Sequence, residues 1–116
     1  MIVKPTNKEV TMAFSILSSG EATYSIKDSD ETFTTEEVQF VKEEINTYQS
    51  GYKEETTEII GTYITESEHG PFIWTATTTI STYDSWPEID YELTEQPENI
   101  ENVIDTPNFE IDEDNN

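Results

Sequence analysis

Residues 33–52 read FTTEEVQFVKEEINTYQSGY, and this stretch decides the fold class predicted from the sequence. Thr34 suits the N-cap of a helix, and Glu37 follows three residues later, which is the spacing of a capping box. Phe33 before the cap and Val38 after it have the spacing of a hydrophobic staple. These local features predict that a helix begins directly after Thr34.

An apolar stripe continues through the same stretch at spacings of three and four residues, as expected for one face of a helix. Its members are Val38, Val41, Ile45, Tyr48 and Tyr52. Gly51 can end a helix in the left-handed conformation. The sequence therefore predicts a single amphipathic helix over residues 35–50.

Two short segments before this helix predict an N-terminal β-hairpin. In residues 10–17 apolar side chains alternate with small or polar ones, as they do in a half-buried strand. Residues 18–21 have the composition of a turn, and residues 22–27 alternate again. We therefore expect the second strand to pair back on the first.

Three segments after the predicted helix have the composition or the alternation of strands. They are residues 56–66, residues 72–83 and residues 88–93. Gly61, inside the first of them, indicates a bulge or a close approach of other atoms to the backbone. We expect an antiparallel meander with the helix packed on one face, which is an α+β domain.

The ends of the chain carry weaker patterns than its middle. A chain of 116 residues is expected to form one domain, which we place at residues 1–111. Within it, residues 1–9 and 97–111 are expected to be loosely attached. Residues 112–116 are acidic or amidic, and we expect them to be a disordered, frayed tail.

The charge distribution is the main functional feature of the sequence. The chain has 26 acidic residues against five lysines and no arginine, and its net charge is −21. All five lysines lie before residue 54, so the 17 acidic residues after Lys53 have no base among them. A net charge far from zero makes a compact chain repel itself. This excess therefore predicts a strongly positive partner protein.

The best candidate contact is the row of carboxylates Glu88, Asp90 and Glu92. Residues two apart on a strand point to the same face and recur every ~6.6–6.8 Å, twice the strand rise. Such a row can present negative charge to a groove built for phosphates, which recur every ~3.4 Å along each strand of duplex DNA. Further candidate partner-binding residues are Glu95, Asp84, Trp86, Glu66 and Glu68.

The sequence predicts no catalytic residue, no metal site and no cofactor. There is no cysteine, and His69 is the single histidine, so neither a Cys–His site nor a His-based zinc site can form. The loop 28–32 begins like a calcium loop, but Phe33 stands where such a loop needs glycine. With only four glycines, the chain also lacks a phosphate-binding glycine loop. We therefore expect a protein that is not an enzyme.

The same composition limits the partners and the location. Binding to phosphate groups needs lysine or arginine, and an anionic surface is repelled by anionic lipid. No segment approaches the ~20 apolar residues that span a bilayer, and residues 1–5 do not begin a secretory signal. We expect a cytoplasmic protein that binds neither nucleic acid nor membranes directly.

These features are similar to those of a functional class rather than of one family. They resemble small, acidic, cysteine-free proteins of phages and mobile elements that mimic DNA. Such a protein blocks the nucleic-acid-binding cleft of a basic host protein, such as a restriction, CRISPR, DNA-repair or nucleoid protein. This is the function that the sequence favours.

Two other classes fit the charge. An immunity or antitoxin protein would neutralise a basic nuclease toxin, and it need not imitate DNA to do so. A phage structural or accessory protein would use its charge for solubility. A homodimer paired through strand edges is compatible with all three classes.

Overall fold

The structure is a computed structural model that describes residues 14–82 and 87–113. Within these ranges the chain forms nine antiparallel β-strands and no helix. The strands are β1 (Phe14–Ser19), β2 (Thr23–Ile26), β3 (Thr32–Thr34), β4 (Gln39–Gly51), β5 (Glu54–Thr65), β6 (Phe72–Ser81), β7 (Glu88–Glu95), β8 (Ile100–Asp105) and β9 (Asn108–Glu113).

The strands form one large sheet and two small ones. The large sheet has the order β4-β5-β6-β7, so consecutive strands are neighbours. The small sheets have the orders β3-β2-β8 and β1-β9. The first two strands therefore pair with the last two, which brings the two ends of the described chain together.

The predicted helix at residues 35–50 is wrong, and the fold is all-β rather than α+β. Residues 39–51 form β4, which pairs antiparallel with β5 along its whole length. The apolar stripe does not face a core, because Val41, Ile45 and Tyr48 are 52%, 44% and 48% exposed. Of the residues in that stripe, Val38 is buried.

The predicted helix start is used for tertiary hydrogen bonds instead. The first N–H groups of a helix have no partner within the helix. Here the backbone N–H group of Thr35 donates to the carbonyl of Ala22 at 2.8 Å, and that of Val38, which a helix would bond to Thr34, donates to the carbonyl of Gly20 at 2.9 Å. The Thr35 hydroxyl also accepts from the N–H of Ala22, at 2.9 Å. Segment 35–38 therefore lies extended against the connection between β1 and β2.

The predicted N-terminal hairpin is also wrong. The strand β1 pairs with β9, and β2 pairs with β3 and β8. Because residues 20–22 are hydrogen-bonded to segment 35–38, the chain between β1 and β2 does not fold back as a turn. Residues 10–13 of the predicted first strand lie outside the described residues.

The three strand segments predicted after the helix are confirmed. They correspond to β5, β6 and β7, which pair consecutively and antiparallel. Each has β-branched or aromatic residues on the face that is buried, which suits a pleated, half-buried surface. The predicted end of the second segment at Tyr83 lies outside the described residues.

The core lies between the large sheet and the two small ones. We call the face of the large sheet that carries Tyr63 and Trp74 the inner face, and the opposite one the outer face. Phe109 of β9 packs on both of these rings, at centroid distances of 5.0 and 6.5 Å. Tyr24 of β2 packs on Phe72 at 5.0 Å. Burial of large side chains such as these stabilises the fold by about 1.5–3 kcal/mol each.

The segment after β7 belongs to the small sheets. The strand β8 pairs with β2, and β9 pairs with β1 as far as Glu113. Ile100 and Phe109 are each 6% exposed and belong to the core cluster.

The long hairpin β4–β5 gives the molecule an elongated shape, with extents of 56 × 30 × 21 Å. Its turn is Tyr52-Lys53, where Lys53 has a φ of 60°. No helix in the described residues is long and apolar enough to cross a membrane.

Candidate protein-binding face

The predicted carboxylate row lies on the outer face of the large sheet. Glu88, Asp90 and Glu92 are all exposed on β7. Each stands directly opposite a threonine of β6; the pairs are Glu88–Thr79, Asp90–Thr77 and Glu92–Thr75. Directly opposed residues share a face and have Cβ atoms about 4.5–5.5 Å apart. A row of hydroxyls therefore runs beside the row of carboxylates, and no base stands opposite any of the three acids.

The alternation of β7 fixes the direction in which the acids point. Ile89 and Leu93 are partly buried and pack against the core cluster on the inner face. A slip of one residue would bury the acids and expose these two side chains. The apolar positions thus hold the carboxylate row in solvent.

A bulge near the end of β7 adds a fourth acid to this row. Simple alternation from Glu92 would place Thr94 on the outer face and Glu95 on the inner one. The register shifts there, so that Leu93 pairs with Trp74 and Glu95 pairs with Ile73. The Thr94 hydroxyl donates to the Ile73 carbonyl at 3.1 Å. Glu95 is therefore exposed on the outer face.

Two further acids of the outer face lie across the sheet from the row. The register places Glu58 of β5 in line with Glu88, and Glu44 of β4 in line with Asp90. At about 4.8 Å per strand, these acids lie about 10 and 14 Å from the row. Lys42 is in line with Glu92, also about 14 Å away. The face therefore has an acidic border on β7, a strip of Thr and Ile side chains, and a mixed border on β4, where Glu44 stands beside Lys42.

Sequence reasoning missed Glu44, because the helix prediction removed β4 from the sheet. The hydroxyls on one face of β6 did indicate a sheet face, and the composition of β5 indicated a strand. These features did not predict that β4 is the fourth strand of the same sheet.

The outer face contains a shallow depression of about 270 Å³ beside the carboxylate row of β7. Its lining is Thr75, Thr77, Asp90, Tyr91 and Glu92. The two carboxylates and two hydroxyls offer hydrogen-bond acceptors to a cationic group, and charge-assisted bonds of this kind are about twice as strong as neutral ones. The depression suits the end of a lysine or arginine side chain.

Glu66 and Glu68 lie in or beside the turn between β5 and β6, at the end of the sheet that carries Glu95. This turn is closed by two backbone bonds between Ser67 and Gly70, at 3.0 and 3.1 Å. It also lies against the β7–β8 connection, since a Cβ at Gly70 would be 3.2 Å from Cγ of Pro97. Both acids are exposed, so the structure places them near the row but not in it.

His69 of the same turn fastens it to a small sheet. Its Nδ1 is hydrogen-bonded to the hydroxyl of Tyr24, at 2.6 Å. Its ring also meets the rings of Tyr24 and Phe33 edge to face, at 5.5 and 4.7 Å. These contacts assign His69 a packing role.

The predicted contacts Asp84 and Trp86 lie outside the described residues. Among the residues that are described, there is no group of three or more side chains suited to hold a metal ion. Burial, with a smaller contribution from the nearby Glu43, raises the pKa of the Tyr63 hydroxyl to about 12.

The comparison with family models, the search of curated proteins and the search of solved structures found no match. The fold and the site therefore define the class of this protein by geometry alone. It is an all-β domain whose main sheet presents one acidic, hydroxyl-lined face.

Proposed function

We propose that this chain is a non-catalytic, acidic inhibitor protein of the cytoplasm. It occupies the nucleic-acid-binding cleft of a cationic protein and presents carboxylates where DNA presents phosphates. The observation that carries the proposal is the row of exposed carboxylates on β7, which stands beside hydroxyls and opposite no base.

The spacing of charge on the outer face supports an interaction with a DNA-binding cleft. Along β7 the acids recur every ~6.6–6.8 Å, so their charge is about half as dense as that of one DNA strand at ~3.4 Å. Across the sheet, Glu58 and Glu44 lie about 10 and 14 Å from the row, and these distances are comparable with the ~12 Å width of the DNA major groove. Basic side chains placed to bracket a groove would find a carboxylate on each side.

The net charge of the whole chain and the close contacts of the outer face contribute to binding in different ways. Each exposed ion pair contributes only about 0.2–1 kcal/mol, so three or four pairs do not make a tight complex. The net charge of −21 attracts a cationic partner over long distances and raises the association rate. The depression beside Asp90 and the strip of threonines would supply close contacts that slow dissociation.

A displacement assay tests the proposal. Purified cationic DNA-binding proteins, among them a nuclease, a DNA glycosylase and a nucleoid protein, are bound to fluorescent duplex DNA, and the chain is added. We expect release of DNA from at least one of them, competitive with DNA concentration. Affinity should fall steeply between about 0.1 and 0.5 M salt, because the Debye length shrinks below 10 Å.

Matched variants show whether the outer face is responsible for the displacement of DNA. The variant Glu88→Gln, Asp90→Asn, Glu92→Gln should weaken displacement by about 1–3 kcal/mol, since each exposed pair is worth up to about 1 kcal/mol. The control changes the exposed acids Glu21, Asp30 and Glu31 to their amides, which gives it the same net charge as the first variant. This control should displace DNA nearly as well as the wild type.

Two results would contradict the proposal. One is a tight partner whose binding is unaffected by DNA, which is the behaviour of an immunity protein that binds beside an active site. The other is equal loss of displacement in the two amide variants, which would mean that total charge, rather than the outer face, is responsible.

A further inference from the structure

The edge strand β4 is long, exposed and rich in apolar side chains. It is the terminal strand of the large sheet, and no strand of the described chain pairs with its outward edge. Its residues from Gln39 to Gln49 are exposed on both faces. Large apolar side chains among them are Phe40, Val41, Ile45 and Tyr48. An exposed, apolar strand of this length is a template for pairing with another strand.

We propose that two copies of this chain pair antiparallel through β4, about a two-fold axis at Ile45, and form a continuous eight-stranded sheet. Ile45 is the midpoint of β4 (Gln39–Gly51), so this axis gives the two strands their full overlap. A two-fold axis normal to the sheet keeps the inner faces on one side, and each residue meets one that points to the same face.

The side chains of β4 are self-complementary in this register. Between the register shifts at its two ends, residues 42–48 are regular. The opposed residues would be Lys42–Tyr48, Glu43–Thr47, Glu44–Asn46 and Ile45–Ile45. No carboxylate stands opposite another carboxylate, and like charges in that position are destabilising. The register centred one residue earlier would place Glu44 opposite Glu44 and is disfavoured.

The centre of the interface would continue an apolar row of the inner face. In one copy, Ile45 stands opposite Ile59, which is 1% exposed. Ile45 itself is 44% exposed, and pairing with a second Ile45 would cover part of that surface. The row then runs from the Ile59 of one copy to that of the other without interruption by a polar group.

The net charge of the chain makes the salt dependence of this dimer distinctive. Two bodies of charge −21 repel each other, and added salt screens that repulsion. Dimerisation should therefore strengthen with salt, whereas binding to a cationic partner weakens. The dimer does not depend on the proposed function, and the two hypotheses can fail separately.

Introducing a single cysteine gives a direct test, because the chain has no cysteine of its own. Opposed residues of an antiparallel pair have Cα atoms about 4.5–5.5 Å apart, within the ~4.4–6.8 Å range of a disulfide. Ile45→Cys should therefore form a disulfide-linked dimer under mild oxidation. The control is Ile104→Cys, since Ile104 is an exposed isoleucine of β8 at 52% exposure, and it should remain monomeric.

Sedimentation of the uncrosslinked protein measures the equilibrium. In high salt we expect a monomer–dimer equilibrium that Ile45→Lys weakens about tenfold or more, because it places two like charges opposite each other at the axis. Ile104→Lys carries the same charge change and should leave it intact. A wild type that stays monomeric at millimolar concentration in high salt would overturn the proposal, as would equal crosslinking of both cysteine variants.

Discussion

Replacing Gly61 with alanine should destabilise the protein, because the ring of Tyr63 lies over this glycine. A Cβ at position 61 would meet Oη, Cε1 and Cζ of Tyr63 at 2.6, 2.7 and 2.9 Å. Ordinary contacts between such atoms are about 3.5–4.0 Å, so the ring would have to move by about 1 Å. Its freedom is small, because Phe109 and Phe40 pack on it at centroid distances of 5.0 and 5.7 Å.

The expected magnitude is a difference between two effects. Overpacking of a filled core costs about 1–3 kcal/mol. Alanine restricts the unfolded chain more than glycine does, and this effect stabilises the folded state by about 0.4–1 kcal/mol. Gly61 is not among the residues with positive φ, so backbone strain adds nothing. The net destabilisation is about 1–2 kcal/mol, which lowers Tm by about 4 °C per kcal/mol in a chain of this size.

Urea unfolding followed by tryptophan fluorescence measures this change, and a double-mutant cycle locates its cause. In a Tyr63→Leu background the ring is absent, so Gly61→Ala should cost little and the coupling between the two sites should be about 1–2 kcal/mol. If Gly61→Ala is as stable as the wild type, or if the cost is the same in both backgrounds, the packing argument is wrong.

Two further predictions concern buried hydroxyls. Thr78 is 1% exposed and its Oγ1 has no hydrogen-bond partner; Thr78→Val should therefore raise the free energy of unfolding by about 1 kcal/mol, since an unpaired buried polar group costs about 1–3 kcal/mol, and a lower urea midpoint would contradict this. Burial raises the pKa of Tyr63 from 10.0 to about 12, so its stabilising contribution is complete below pH 10 and is lost as pH rises through about 12. At 1.36 kcal/mol per unit this amounts to at most about 3 kcal/mol, and urea titrations at alkaline pH should show a loss in the wild type that Tyr63→Phe does not share.

The sequence predicted β5, β6 and β7 because their patterns are local and their partners are consecutive. Alternation in β7 also gave its faces correctly, whereas the composition of β5 predicted a strand without assigning its faces. Gly61 was expected to mark a bulge or a close approach. The register runs through it without a shift, and the close approach of Tyr63 is confirmed.

The helix prediction failed because all its support was local. The capping pattern at Thr34 and the stripe through Ile45 are properties of neighbouring residues. The decisive interactions are with residues far along the chain: β5 pairs with the whole of β4, and the carbonyls of Ala22 and Glu66 accept from Thr35 and Glu36, whose N–H groups a helix would leave free. The hairpin failed for the same reason, since the partners of β1 and β2 are the last two strands.

The candidate site was predictable in part. The row from Glu88 to Glu92 follows from alternation alone, and its exposure agrees with that reasoning. The position of Glu95 on the same face was not derivable, because it depends on the bulge at Thr94. The positions of Glu44 and Lys42 on this face were not predictable without knowing that β4 belongs to the sheet.

Two charge-reversal variants, compared in the DNA-displacement assay, test most directly whether the outer face binds the cationic target. Changing Glu88, Asp90 and Glu92 to lysine, or Glu21, Asp30 and Glu31 to lysine, brings the net charge from −21 to −15 in both cases. We expect the first variant to lose several kcal/mol of affinity for the cationic target, because attraction becomes repulsion at each contact. The second variant should keep most of its affinity, and both should remain folded. Equal affinity of the two variants would contradict the proposed function, because the outer face would then have no specific role in binding.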